Sequence, residues 1–135
     1  MSEQLHSRIT LKNTPQEIEA AETDLLNAVE QASFDRASCF AIRLAVEEAL
    51  ANAFKHGNQG DAAKSVTLQW SVEPDMVHID IQDEGTGFDP TSVPDPTDLE
   101  NLDIPSGRGL MLMRAYMTRV EIIPPGNRVH MVYQR

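Results

Sequence analysis

The chain has 135 residues, with 11 basic and 21 acidic side chains and a formal net charge of -10. This length suits one domain whose core needs no disulfides, so we predict a single domain over residues 1–135. The excess of acidic residues and the lack of a Lys/Arg cluster argue against direct binding of nucleic acid. The apolar runs are too short for a membrane span or a signal peptide, so we expect a cytoplasmic protein.

Cysteine and histidine give no indication of a metal centre. Cys39 is the single cysteine, so a disulfide framework and a thiolate metal site are both excluded. The four histidines lack the close pairing that zinc ligands have, and a zinc site is therefore not expected.

The chain opens with a strand and a helix. Alternating residues from Leu5 to Leu11 share one phase, which predicts a strand over residues 5–12. The next residues predict a helix start: Thr14 can cap it, Pro15 suits the first helical position, and Glu17 can complete a capping box. A strand followed by an amphipathic helix is therefore expected.

A second helix and a hairpin follow. The helix begins near residues 33–36 and runs to Gly57, which is well placed as its C-terminal stop. Apolar residues alternate over residues 66–72 and again over residues 76–83, and Glu73-Pro74-Asp75 supplies a turn between them. These two segments predict an antiparallel hairpin.

The rest of the chain supplies a long loop, a third helix and a second pair of strands. Residues 89–106 have several prolines and no sustained period, which is typical of a loop that is either functional or disordered. A helical pattern follows over residues 109–118, and strands are predicted over 119–124 and 128–133 around Gly126-Asn127. The predicted fold class is therefore α+β: a two-layer α/β sandwich with a mostly antiparallel sheet and helices on one face.

Asp83-Glu84-Gly85-Thr86-Gly87 is the most informative stretch. Because Val77, Ile79 and Ile81 share the buried phase of the preceding strand, Asp83 continues that phase at the strand's end. A carboxylate there needs a hydrogen-bond donor from the protein or from a ligand, since an unpaired buried charge is costly. Gly85 and Gly87 leave the adjacent backbone open to close approach by a flat ligand. The pattern predicts an adenine pocket.

The second helix carries a polar stripe. At about 100° per residue, Glu48, Asn52 and Lys55 lie on nearly the opposite side from the apolar residues that would face the sheet. Such a stripe is often only a solvated face, but small neighbouring residues also suit the wall of a cleft. An amide oxygen beside a carboxylate suits Mg²⁺ bound with nucleotide phosphates.

Ser106-Gly107-Arg108-Gly109-Leu110 lies where the long loop meets the third helix. Glycines at a helix N-terminus leave backbone N–H groups available to an anion, although a lone pair of glycines more often marks only a tight turn. Arg108 could contact a phosphate or face solvent. Neither the dinucleotide-binding fingerprint nor the Walker phosphate loop is present in the sequence.

These three motifs, in this order and at these separations, resemble the N, G1 and G2 boxes of the GHKL ATPases, which include gyrase, the heat-shock chaperone, histidine kinases and MutL. The segments are Glu48 to His56, Asp83 to Gly87 and Gly107 to Leu110, and the resemblance covers roughly residues 30–134. Within the superfamily, a Glu four residues before the box Asn is similar to the small anti-sigma-factor serine kinases of bacteria. The resemblance implies the Bergerat fold.

The resemblance also implies roles for individual residues. Asn52 would ligate Mg²⁺, Asp83 would accept a hydrogen bond from the adenine amino group, and Gly85 and Gly87 would shape the pocket. Glu48 would act as general base on the attacking hydroxyl. Residues 89–106 would form the lid over ATP.

The remaining candidate residues lie at the phosphate end of the implied site. The backbone N–H groups of Gly107, Arg108, Gly109 and Leu110 would hold the ATP phosphates. Lys55 matches a phosphate-contacting lysine of the histidine-kinase branch, and His56 is similar to a residue common at its position. The family often has Gly-Thr before the last strand, but this chain has Gly126-Asn127-Arg128, so a secondary contact to adenine is not carried over.

Two functions remain open from the sequence. The first is an ATP-dependent serine/threonine protein kinase that phosphorylates an anti-sigma-factor antagonist, a STAS-like protein, and alternatively binds a sigma factor. The second is a nucleotide-dependent binding module without phosphate transfer. Glu48 favours the kinase, because a base at this position has a use only in turnover. The missing dimerisation helices and phosphorylatable histidine argue against a complete histidine kinase. A detached histidine-kinase ATPase domain is a further alternative. The resemblance also suggests a homodimer.

Overall fold

A computed structural model describes residues 5–85, 107–124 and 126–135. The strands are β1 (His6–Leu11), β2 (Val66–Val72), β3 (Met76–Gln82), β4 (Arg119–Ile123) and β5 (Arg128–Gln134). The helices are α1 (Pro15–Gln31), α2 (Arg36–Asn52) and α3 (Gly107–Tyr116), and a π-helical turn, Ala53–Gly57, continues α2. The predicted lid, 89–106, and Gly87 lie outside the described residues.

The five strands form one sheet in the order β1-β2-β3-β5-β4, and every neighbouring pair is antiparallel. The predicted hairpin is correct: Val72 lies opposite Val77, and Glu73 N–H donates to the Met76 carbonyl at 2.7 Å. Helices cover one face of the sheet, so the predicted α+β sandwich is confirmed.

The core lies between the helices and that face of the sheet. It contains the alternating residues of β2 and β3 and the predicted apolar side of α2, including Ile42, Val46 and Leu50, each at most 1% exposed. Burying a side chain of this size contributes about 1.5–3 kcal/mol, so this face fixes how α2 lies on the sheet.

The start of α1 differs in one detail from the predicted capping box. Thr14 caps the helix by accepting the Glu17 N–H at 3.2 Å. The Glu17 carboxylate does not return to the Thr14 N–H, which donates to the Lys12 carbonyl; it accepts instead from the Lys12 N–H at 3.1 Å. The helix start was predicted correctly. Glu17, however, links the first turn of α1 to the residue that follows β1.

The end of α2 also differs from the prediction. The α-helix ends at Asn52, and the next five residues wind as a wider π-helical turn. Such turns occur frequently at functional sites, because they redirect the backbone within a helix. Here the turn brings Gly57 against the end of β3.

No helix among the described residues is long and apolar enough to cross a membrane.

Candidate functional site

Asp83 lies directly after β3 and is half-buried. Its Oδ1 accepts the Gly85 N–H at 2.7 Å, so the protein supplies one donor for the carboxylate. Within the described parts of the chain, no group donates to Oδ2. Burial raises the pKa of Asp83, although the Gly85 hydrogen bond and the charge of Lys64 oppose that effect. Among the described residues, only one oxygen of this carboxylate therefore has a hydrogen-bond donor.

Asp80, three residues earlier on β3, has the opposite environment. It lies on the uncovered face of the sheet and accepts hydrogen bonds from Arg128 at 2.5 Å and from His130 at 2.8 Å. Burial raises the pKa of Asp80, but the hydrogen bonds and charges of these two partners outweigh burial and lower it. A carboxylate that serves structure is thus fully paired here, whereas Asp83 is not.

Two glycines allow the π-helical turn to pack against Asp83. A Cβ on Gly57 would overlap the Asp83 carboxylate, and a Cβ on Gly85 would overlap the Gly57 carbonyl oxygen. Gly57 does end the helical segment as predicted, but it is not among the glycines with positive φ. Its small size matters because two backbones and a carboxylate meet there.

Two asparagines that the sequence interpretation missed hold the turn after β3. Asn58 is 1% exposed; its Oδ1 accepts the Glu84 N–H at 2.7 Å, and its Nδ2 donates to the Ser65 carbonyl at 3.0 Å. Asn127, from the turn between β4 and β5, bonds to the backbone of Asp83 and Gly85. These contacts join segments that are far apart in the sequence, so no local pattern predicts them. The one hint in the sequence was that Gly126-Asn127-Arg128 differs from the Gly-Thr that the family often has.

The polar stripe of α2 lies beside buried surface. Glu48 and Asn52 are half-buried, and Ala41 and Ala45, which precede them on the same helical stripe, are buried. The packing of α3 against α2 agrees with such small side chains. The stripe is therefore not a fully solvated face, and its interpretation as a cleft wall stays a prediction.

Asn52 has an unsatisfied polar atom. Its Nδ2 is buried without a hydrogen-bond partner among the described residues, which is unusual for a buried amide. The oxygen and the NH₂ group of an amide have similar shapes and can exchange places by rotation of the side chain. The finding therefore means that one of these two groups of Asn52 has no partner in the described protein. A group bound at this stripe would provide the missing partner.

Lys55 and His56 both lie in the π-helical turn. Lys55 is exposed and lines a groove between α1 and α2, and His56 is half-buried. The wider turn rotates Lys55 relative to the stripe predicted from α-helical spacing. Their predicted contacts with phosphate stay predictions.

The groove between α1 and α2 has a volume of about 840 Å³. Its walls carry Glu22 from α1 and Glu47 from α2, and Glu47 pairs with Arg43 at 3.1 Å. Burial first, and then the charge of Glu47 and a hydrogen bond with it, raise the pKa of Glu22 to about 7, against the opposing charge of Arg43. Asp83 is not among the residues that line this acidic groove.

The start of α3 coincides with the segment for which an anion site is predicted. The helix begins at Gly107, two residues before the predicted boundary, so the backbone N–H groups of 107–110 belong to its first turn. N–H groups in the first turn of a helix have no acceptor within the helix and favour negative charge. The side chains of Arg108 and Leu110 are not described.

The donor set for a divalent cation is sparse. The described residues contain no group of three or more His, Cys, Asp and Glu that could hold a metal ion. Mg²⁺ needs few protein ligands when nucleotide phosphates and water complete its shell, and the Asn52 amide fits such a role when its oxygen, rather than its NH₂ group, occupies the unmatched position.

The family model for the histidine kinase-like ATPase domain matches residues 11–133. This match spans both the sheet and the helical layer, so it includes the adenine-pocket candidate, the α2 stripe and the start of α3.

Individual relatives are more distant. Serine-protein kinase RsbW of Listeria innocua is 24% identical over 129 residues, which is 87% of this chain and 80% of that protein. The RsbW protein of Listeria monocytogenes gives the same values. An anti-sigma F factor of Bacillus thuringiensis is 36% identical over 85 residues, 61% of this chain and 58% of that protein. The predicted resemblance to the anti-sigma-factor branch of the GHKL ATPases is thereby confirmed.

Proposed function

The chain belongs to the histidine kinase-like ATPase domain family, the GHKL ATPases, and on this basis we propose that it is an ATP-dependent serine/threonine protein kinase. Its proposed substrate is an anti-sigma-factor antagonist, a STAS-like protein. Its proposed setting is the cytoplasm, where it regulates transcription as a partner switch.

The observation that carries ATP binding is the half-buried carboxylate of Asp83. A carboxylate only accepts hydrogen bonds, so it attracts the amino group of adenine and repels the carbonyl of guanine. One oxygen is held by the Gly85 N–H, and the raised pKa reflects burial without an ion-pair partner in hydrogen-bond contact. Gly57 and Gly85 place no side chain between their backbone and this carboxylate.

The phosphates are proposed to lie between the first turn of α3 and the stripe of α2. The α3 N–H groups stabilise negative charge, and Asn52 would hold Mg²⁺. When bound, Mg²⁺ would neutralise part of the phosphate charge. These groups hold the γ-phosphate in place, and positioning with charge stabilisation is most of what phosphoryl transfer requires.

Glu48 is proposed to act as general base. Its carboxylate would accept the proton of the substrate hydroxyl as that oxygen bonds to the γ-phosphorus, while the bond from the γ-phosphorus to the bridging oxygen of ADP breaks. Glu48 lies one helical turn before Asn52, so the base and the proposed Mg²⁺ ligand share one stripe. A base of this kind contributes about 10²–10⁴-fold to rate.

The names of the relatives support the proposed partners. RsbW is named a serine-protein kinase, and the Bacillus protein is named an anti-sigma F factor. We propose that this chain binds a sigma factor or an equivalent target, and that phosphorylation of the antagonist decides which partner is bound. A homodimer is proposed from the same resemblance.

Transfer of label tests this function directly. The chain is incubated with ATP labelled at the γ-phosphate, Mg²⁺ and candidate antagonist proteins encoded nearby, and Glu48→Ala serves as the control. Label on a partner serine or threonine that Glu48→Ala fails to transfer supports the kinase. ATP binding without label on any candidate would favour the nucleotide-dependent binding module.

A further inference from the structure

Asn127 makes three hydrogen bonds to the turn that follows β3. Its backbone carbonyl accepts the Asp83 N–H at 2.9 Å, and its Nδ2 donates to the carbonyls of Asp83 and Gly85, each at 3.3 Å. Both side-chain partners are carbonyl oxygens, which only accept, so the atom facing them must be the NH₂ group. One residue thus bonds to the backbone on both sides of Glu84.

The peptide group that joins Asp83 to Glu84 is held at both of its edges. Asn127 bonds to its carbonyl, and Asn58 accepts its N–H at 2.7 Å. A peptide group is planar, so fixing its two polar atoms fixes the backbone angles on either side. The direction in which the Asp83 side chain leaves the backbone is set in this way.

The carboxylate itself depends on the same turn. Asp83 Oδ1 accepts the Gly85 N–H at 2.7 Å, and Gly85 is kept in place through its carbonyl bond to Asn127. This arrangement uses one oxygen of the carboxylate for the turn and leaves the other for a ligand. Loss of the amide would let the carboxylate rotate or shift, without removing any group that touches the ligand.

We propose that Asn127 is a positioning residue for nucleobase recognition, and that it acts by fixing Asp83 so that the carboxylate meets the exocyclic amino group of adenine. This inference rests on the proposed ATP-binding function. A hydroxyl side chain at this position donates one hydrogen bond, whereas the Asn amide donates the two that the turn uses.

The test compares two nucleotides that differ only in the amino group. ATP and the triphosphate of the 6-unsubstituted purine nucleoside are titrated into wild type, Asn127→Ala and Asn127→Asp, and affinity is measured by calorimetry. The Asp variant keeps the shape of Asn127 but replaces its donor by an acceptor. Asn27→Asp, which adds the same charge at an exposed position of α1, is the matched control.

We expect both Asn127 variants to weaken ATP binding about tenfold, as for the loss of hydrogen bonds of ordinary strength, and to change binding of the other nucleotide less than about twofold. The ratio of the affinity for ATP to the affinity for the other nucleotide therefore falls about tenfold in the Asn127 variants, whereas Asn27→Asp keeps the wild-type ratio. An equal loss for both nucleotides, or no loss, would overturn the positioning role. If Asn127→Ala does not fold, Asn127→Asp decides alone.

The outcome also separates this inference from the proposed function. If wild type binds neither nucleotide, or Asp83→Asn binds ATP as wild type does, the ATP-binding proposal fails and this inference fails with it. If Asp83→Asn loses ATP binding while both Asn127 variants keep the full preference, only the role of Asn127 is rejected.

Discussion

The two ends of the candidate nucleotide site are built differently. At the end of β3, Asn58, Asn127 and Gly57 surround Asp83, and nearly every backbone group of the turn has a protein partner. On α2, Asn52 has a buried amide atom without a partner among the described residues. The proposed adenine end is therefore organised by protein contacts alone, whereas the proposed phosphate end has an unmatched amide that a ligand would complete.

This difference separates binding from turnover. A preorganised end can provide affinity and base choice, since its groups lose little freedom on binding. The α2 stripe would carry the groups that use the bound nucleotide. Changes at the two ends should consequently affect different measured quantities.

The largest effect is expected at the α2 end. Glu48→Gln should lower phosphate transfer to the antagonist by about 10²–10⁴-fold, because the amide cannot take the proton of the attacking hydroxyl. The measurement is the single-turnover rate of label transfer. Glu47→Gln, which changes the adjacent carboxylate in the α1–α2 groove, is the matched control and should stay within about twofold of wild type. Equal rates in Glu48→Gln and wild type would remove Glu48 from the chemistry.

The next effect is expected at the adenine end. Asp83→Asn should weaken ATP binding about 100-fold, because an amide replaces the charged acceptor that faces the adenine amino group. Asp80→Asn is the control: it makes the same change three residues earlier, on β3, where Asp80 pairs with Arg128 and His130 on the other face of the sheet. Comparable losses in the two variants would mean that charge near β3, rather than recognition, governs affinity.

A smaller effect is expected from Gly57→Ala. The new methyl group would overlap the Asp83 carboxylate, which can move because it is the end of a side chain. We expect ATP affinity to fall about tenfold while the melting temperature changes little. In an Asp83→Asn background the same substitution should cause no additional loss, and a full additional loss would show that Gly57 acts independently of Asp83.

The sequence predicted most of the fold because alternation along β2, β3 and β5 and the apolar side of α2 are local patterns. It also predicted where Asp83 and Glu48 lie on those elements. It missed the π-helical turn, since the α-helical pattern continues through Phe54 to Gly57 without a break. Asn58 and Asn127 were missed because turns often contain Asn for local reasons, and their partners come from distant segments.

The smallest effect lies outside the nucleotide site, in the α1–α2 groove. The ordinary pKa of a glutamate such as Glu22 is 4.5, so the unfolded chain loses this proton near pH 4.5. The folded chain keeps the proton up to about pH 7. Glu22 therefore makes the free energy of unfolding fall as pH rises through this window, and the loss is complete above it. Glu22→Gln should flatten this slope and raise stability at pH 8 by about 1 kcal/mol, a value reduced for partial exposure.

Urea unfolding at several pH values measures this effect. Glu30→Gln, at an exposed position of the same helix, is the control and should keep the wild-type slope. ATP affinity should be the same in both variants, because the groove is separate from Asp83. An unchanged slope in Glu22→Gln would contradict the raised pKa of Glu22.

The most direct test of the difference between the two ends is one calorimetric titration of ATP with Mg²⁺ into wild type, Asp83→Asn and Glu48→Gln. We predict that Asp83→Asn loses about 100-fold in affinity, whereas Glu48→Gln binds ATP within about twofold of wild type. Equal loss of affinity in the two variants would contradict the assignment of binding to the β3 end and of turnover to the α2 stripe.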